Sequence, residues 1–413
     1  MTLIKPLRGL RPVPDKAADV AAPPYDVLNT AEARIRAAGK PYSFLHISKP
    51  EIDLAEGTDP YAPEVYAKGA ENLQALINKG VLIRDEQPTY YVYRLTMGSH
   101  VQTGLVFAGS VADYDTNRIR KHEYTRPQKE DDRVRQITAL NAETGPVLLA
   151  YRASDDVSKI ISEVTDKTPD YDLVADDNVG HTLWVMRDQT QIDRLTELFD
   201  DMDALYIADG HHRSASASRV AAAKNNGAAN HGNKNSWDHF LCVAFPHNET
   251  RILDYNRVVK DLNGHSKEGL LEKISAAFNV TECDTQAKPE HPAEFGMYLD
   301  GQWYLLEIDR DRIPEDDPVA RLDVSLLQDN LIAPLLGVMD PRTDDRIDFV
   351  GGIRGLDELE KRVDSGEMKI AFALHPTSME ALMAVADANE VMPPKSTWFE
   401  PKLADGLVSH VLD

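Results

Sequence analysis

Short apolar runs suited to strands alternate with amphipathic helical stretches through the middle of this chain. That alternation restricts the fold more than any other feature. "PVLLAYR" reads as a buried strand, "DDVSKIISEV" as a helix, "HTLWVMR" as a strand, "DQTQIDRLTELFDDM" as a helix and "ALYIADG" as a strand. Layers built this way are α/β or α+β, and an all-β domain is excluded. Upstream, "PTYYVYRLTM" and "VQTGLVFAGSV" predict a hairpin joined through Gly98, Ser99 and His100. Downstream, "DHFLCVAFPH" predicts a strand, "EFGMYLDGQWYLLEID" a hairpin, "SKEGLLEKISAAFNV" and "DVSLLQDNLIAPLLG" helices, and "FVGGIRG" a turn. A chain of 413 residues exceeds one ordinary core. The expected division is an N-terminal segment with helices at 1–90, a catalytic lobe at 91–260 and a C-terminal α/β segment at 261–413. The polar stretch "KNNGAANHGNKNS" (224–236) has almost no large apolar residue and reads as a surface loop.

The strand "ALYIADG" runs into the helical stretch "HHRSASASRVAAAK". The first N–H groups of a helix have no intrahelical partners, and the helix dipole adds positive charge there. Gly210 permits a tight turn and a close approach of a ligand to the main chain. His211 and His212 can donate to phosphoryl oxygens, and Arg213 offers a planar fork for a phosphate or carboxylate. Together these predict an anion cradle at a helix start. Asp209 cannot hold the anion itself; it can orient a histidine, bind a bridging metal or activate a hydroxyl. The alternatives are a plain capping turn and a zinc pair. Adjacent histidines point apart, which disfavours the zinc pair.

A second candidate stretch is "RIRKHEYTRPQKEDDR" at 118–133. Its cations Lys121, Lys129 and Arg133, with His122, stand among Glu123, Glu130, Asp131 and Asp132. The alternative to a site is a solvated charged face. Phosphoryl transfer needs both signs: cations for the transferring phosphate and a carboxylate for the acceptor's proton. Glu123, beside Lys121 and His122, is the candidate base, and Glu130 reads as solvated. Near the C-terminus, "PPKSTWFEPK" offers Lys395, Ser396 and Thr397 to a phosphate, or else is a terminal segment packed by Trp398 and Phe399. "APPYDV" likewise either turns Tyr25 and Asp26 to a site or braces an edge.

Several classes are excluded. A formal net charge of −23 opposes non-specific nucleic-acid binding, because phosphate backbones demand basic surfaces. Cys242 and Cys283 form no CxxC pair and are expected as reduced thiols. No apolar run reaches the ~20 residues of a membrane span, and no secretory leader is read, so the expected location is the cytoplasm. GxxxxGK[ST], the protein-kinase motif set, GxSxG and HExxH do not occur.

"APPYDVL", "IRKHEYT", "KEDDR", "ADGHHR", "LDYNRVV" and "PPKSTWFEPKL" together resemble a widespread bacterial family of unknown function, over nearly the whole chain. More distantly, "IRKHE" followed by "DGHHR" resembles the ParB and sulfiredoxin-like superfamily, which includes free-serine kinases, over about residues 100 to 260. The resemblance implies a central lobe of that type in which the two motifs flank a phosphate-binding cleft. It implies Glu123 as general base, with Asp209, His211, His212 and Arg213 on the phosphate side. The expected activity is therefore a small-molecule kinase acting on a hydroxyl, with free L-serine as acceptor. ATP, ADP or pyrophosphate would be the donor, and Mg2+ would sit near Asp209. The alternatives are a nucleotide-binding regulatory module without turnover, and a phosphatase or nuclease.

Overall fold

A computed structural model describes residues 2–225 and 235–413. Most of the polar stretch at 224–236 thus lies outside the described residues. The chain divides into two compact units, Met1–Thr250 with Pro401–Asp413, and Arg251–Glu400. The cuts expected from the sequence stood near 90 and 260. Long-range pairing joins the two chain ends into the first unit. Ile4–Lys5 pairs with the strand ending at Ser110, and His410–Val411 pairs with Ala142–Glu143.

The first unit is built on a nine-stranded mixed sheet. In chain order its strands are β1 (Ile4–Lys5), β2 (Tyr91–Met97), β3 (His100–Ser110), β4 (Ile119–Arg120), β5 (Val147–Tyr151), β6 (Tyr171–Val174), β7 (Gly180–Val185), β8 (Leu205–Asp209) and β9 (His239–Pro246). They lie in the order β4-β8-β5-β9-β3-β2-β7-β6, with β1 beside β3. β2 and β3 form the expected hairpin, and Gly98 takes the left-handed φ of 61° that its tight turn needs. β5 and β9 are buried along their whole length, which is why they read as continuous apolar runs.

The helices that position the site are α1 (Pro63–Asn78), α2 (Pro127–Leu140), α3 (Asp155–Thr165), α4 (Gln189–Asp200) and α5 (His211–Lys224). α3 and α4 bury Val157, Ile161, Val164, Ile192, Leu195 and Phe199 in one core cluster with Phe107 and Tyr151 of the sheet. Each such side chain contributes about 1.5–3 kcal/mol by leaving water. Pro127 begins α2 rather than interrupting it, since the first helical position needs no N–H donor.

The second unit carries a six-stranded, wholly antiparallel sheet. Its strands are β10 (Tyr255–Val259), β11 (Phe278–Cys283), β12 (Glu294–Leu299), β13 (Gln302–Ile308), β14 (Ile347–Gly351) and β15 (Ile370–Leu374), in the order β11-β13-β12-β15-β10-β14. The predicted hairpin is β12–β13, turning through Asp300 and Gly301 at φ 51° and 77°. The helix expected over "SKEGLLEKISAAFNV" ends at Ile274, and Phe278 starts β11 instead. Pairing with β13 overrides the helical pattern there.

Candidate active site at two strand ends

β4 and β8 run parallel, with Leu205 opposite Ile119 and Tyr206 opposite Arg120. Their C-terminal ends therefore emerge side by side. The loop 121–126 leaves one and the turn into α5 leaves the other. Two motifs almost ninety residues apart meet for this reason, outside the carboxyl ends of strands where α/β sheets place ligands. A register shift against β5 between Ile207 and Asp209 re-aims the end of β8. Gly210 caps α5 with φ 102°, a conformation that L side chains rarely adopt.

His122 and His211 are both buried and pack edge to face, with ring centroids 4.5 Å apart. The His122 N–H donates to His211 Nε2 at 3.4 Å. An acceptor Nε2 puts the neutral ring's proton on Nδ1. That Nδ1 stands 3.7 Å from Glu123 Oε2, just beyond hydrogen-bond length. Glu123 itself is exposed, at 52% of its side chain. Burial pushes His122 down to about 4 and holds His211 well below the ordinary histidine value, so both rings are neutral near pH 7. His122 Nδ1 is buried with no hydrogen-bond partner among the described residues. His212 Nε2 accepts from the Arg126 N–H at 3.0 Å, which ties α5 to the loop.

Asp209 accepts from Lys402 Nζ at 3.0 Å. Burial alone would raise its carboxyl, but Lys402 and Arg213 hold it well below the usual carboxylate range. This donor set does not fit the magnesium role expected for Asp209. The carboxylate is already matched by an ammonium group, and among the described residues no group of three His, Cys, Asp or Glu side chains could hold a metal ion.

The remaining expected residues are placed as follows. Lys121 Nζ lies 4.0 Å above the Tyr114 ring, and burial lowers its pKa. Lys129 Nζ donates to Tyr61 Oη at 3.2 Å. Arg213 does not present its fork at the helix start. Nη1 donates to the Pro146 carbonyl at 2.7 Å and Nη2 to Asp26 at 3.0 Å. Arg133 is likewise engaged, with Nε and Nη2 donating to Asp132 Oδ2 at 3.0 and 2.7 Å. Both guanidinium groups flank the Tyr25 ring, at 3.8 Å for Arg133 and 5.6 Å for Arg213. Tyr25 and Asp26 thus contact Arg133 and Arg213. Glu130 is not a solvated bystander: it holds Thr125 and accepts from Arg219 at 3.1 Å. Lys395, Ser396 and Thr397 belong to the second unit. There Lys395 Nζ lies 5.5 Å over the Tyr255 ring and Ser396 Oγ donates to the Pro393 carbonyl at 2.6 Å.

Sequence reasoning missed Lys402, Glu143 and Asp405. Lys402 was visible only as part of "PPKSTWFEPKL", and nothing local marks a residue that pairs 193 positions away.

The fold and site define a mixed α/β protein with a polar site at the ends of two parallel strands. The chain belongs to the family described as "Protein of unknown function (DUF1015)", which matches residues 4–325. No curated protein matches it. Solved structures similar to it include the following. One is a conserved hypothetical protein from Pyrococcus furiosus, with 15% identity over 74% of this chain and 94% of that one, at a TM-score of 0.33. Another is a free serine kinase in complex with AMP, with 13% identity over 74% and 92%, at 0.33. The third is SbnI from Staphylococcus aureus with a C-terminal truncation, with 13% identity over 73% and 86%, at 0.38. Among the described residues no helix is long and apolar enough to cross a membrane.

Proposed function

We propose that the protein is a small-molecule phosphotransferase that passes a phosphoryl group to a hydroxyl, with free L-serine as the acceptor and ATP, ADP or pyrophosphate as the donor. One observation carries this reading. The exposed carboxylate of Glu123 stands beside the neutral, proton-fixed His211 on the first turn of α5. Glu123 is the base that takes the acceptor's proton. The Nδ1–H of His211 faces that carboxylate from 3.7 Å, within reach once the acceptor closes the pair. The first N–H groups of α5, with Lys121 and Lys129 nearby, receive the donor's phosphates. Arg213 and Arg133 would contribute only by leaving their present partners. In this reading the first unit has the ParB/sulfiredoxin-like arrangement. No step is assigned to magnesium.

The regulatory reading, nucleotide binding without turnover, draws support from those two internally committed arginines, which leave fewer cations for a reacting phosphate. The test is to incubate the purified chain with each donor, with and without Mg2+, and with a panel of amino acids and polyols, then to search for new phosphomonoesters by mass spectrometry. A serine phosphomonoester that disappears in Glu123→Gln supports the transferase. Donor binding with no product supports the regulatory module, and free phosphate alone supports the hydrolase.

A further inference from the structure

A cavity of about 30 Å3 opens to solvent in the first unit, lined by Tyr25, Arg133, Glu143, Gly145, Arg213 and Asp405 among others. That space holds about two waters, or the head of a small solute. Two of its lining groups are orphans among the described residues: Arg213 Nε and Asp405 Oδ1 are buried without hydrogen-bond partners. Asp405 is 1% exposed and Arg213 9%. Buried polar atoms left unmade are costly, so a pair of them at one cavity asks for an occupant.

The two orphans are chemically opposite. One is an N–H donor on a cation and the other an oxygen acceptor on an acid. Both border the same point. A Cβ built on Gly145 would lie 3.4 Å from Asp405 Oδ1 and 3.6 Å from the Arg213 Nε. Glycine at 145 therefore leaves open the place between them. Several neighbouring polar groups are already engaged. The fork of Arg213 is on Pro146 and Asp26, Arg133 is on Asp132, and Glu143 Oε2 accepts from the Leu241 N–H at 2.6 Å. A matching occupant accepts from Arg213 Nε and donates to Asp405 Oδ1 in very little volume, and the opposite charges of the two favour one that is anionic at one end and cationic at the other.

We propose that this cavity binds the carboxylate and ammonium groups of a small α-amino acid, the carboxylate on Arg213 Nε and the ammonium on Asp405 Oδ1. The side chain of the amino acid leaves through the open mouth. The site stands on its own orphans and does not depend on phosphoryl transfer. Nothing in that reaction as read above uses Arg213 Nε or Asp405.

The test is calorimetry or ligand-observed NMR on the full chain without any phosphoryl donor. The probes are glycine, L-alanine and L-serine, with acetate, methylamine and glycerol as half-ligands. Saturable binding of the amino acids, at least tenfold tighter than any half-ligand, is expected. Gly145→Ala meets only ordinary van der Waals contacts, so it keeps the fold, and it should weaken binding at least tenfold by filling the shared point. Asp405→Asn should do the same by removing the ammonium's partner. No amino-acid binding at millimolar concentration overturns the proposal and leaves water as the occupant. So does acetate binding as tightly as glycine, or Gly145→Ala binding as tightly as the parent. Amino-acid binding here, together with no phosphomonoester in the donor assay above, would sink the kinase reading alone.

Discussion

Two residues of one helix turn serve two unlike regions of the first unit. His211 points to the strand-end site with His122 and Glu123, while Arg213 points into the cavity with Tyr25, Gly145 and Asp405. At 3.6 residues per turn, residues two apart on a helix point about 160° from one another, so the side chains of His211 and Arg213 face different regions. The difference extends to charge. The strand-end site keeps buried bases neutral and leaves its carboxylate, Glu123, in water. The cavity buries acids beside arginines. In the readings proposed above, the first would carry a reaction and the second would hold a ligand.

The largest effect that would test this contrast is on turnover. Glu123→Gln is expected to lower the rate by about 10²–10⁴-fold, the usual contribution of a general base, with donor affinity and melting temperature unchanged. Steady-state kinetics and calorimetry read both quantities, and full activity in the variant would remove the base from this position.

Arg213→Ala should show the opposite profile. It leaves the buried Pro146 carbonyl without its donor and the half-exposed Asp26, which water screens, without its guanidinium, so stability should fall by about 1–3 kcal/mol. Denaturant unfolding measures this. A stable variant with weakened donor binding would return Arg213 to the phosphate side.

The two regions should also respond to pH with opposite signs. His122 titrates near 4 in the fold against 6.5 when unfolded. The unfolded chain thus binds the extra proton, and this contribution to stability is complete above 6.5 and lost as pH falls towards 4. In the cavity, burial pushes Asp405 up to about 7 and Glu143 up to about 8, from 3.8 and 4.5. There the fold holds the extra protons, so the contribution is complete below about 4 and lost as pH rises through 7 and 8. Glu143→Gln should therefore gain stability relative to the parent between pH 5 and 8. Unfolding curves across that range check it, and a constant difference would show that Glu143 is ionised throughout.

The smallest effect is expected for Glu130→Gln. It loosens a half-exposed pairing with Arg219 and should cost about 0–1 kcal/mol without changing turnover more than severalfold. A hundredfold loss of rate would move the base from Glu123 to Glu130.

Much of this was legible in the residues. The buried strands "PVLLAYR", "ALYIADG" and "DHFLCVAFPH", both hairpins, and the Gly210 start of α5 follow from local pattern and turn chemistry, which act over a few residues. The pairing of Glu123 with His211 was implied only by resemblance. Its physical cause is the parallel alignment of β4 with β8, which no local signal specifies. What only the tertiary structure decided are the partners of charge: Lys402 on Asp209, Asp26 on Arg213, Asp132 on Arg133, and the open place between Arg213 Nε and Asp405. A charged side chain in a sequence states what it can bind. Burial and the chain's distant returns choose what it does bind, because desolvation makes each buried charge take whichever opposite charge the packing brings within reach.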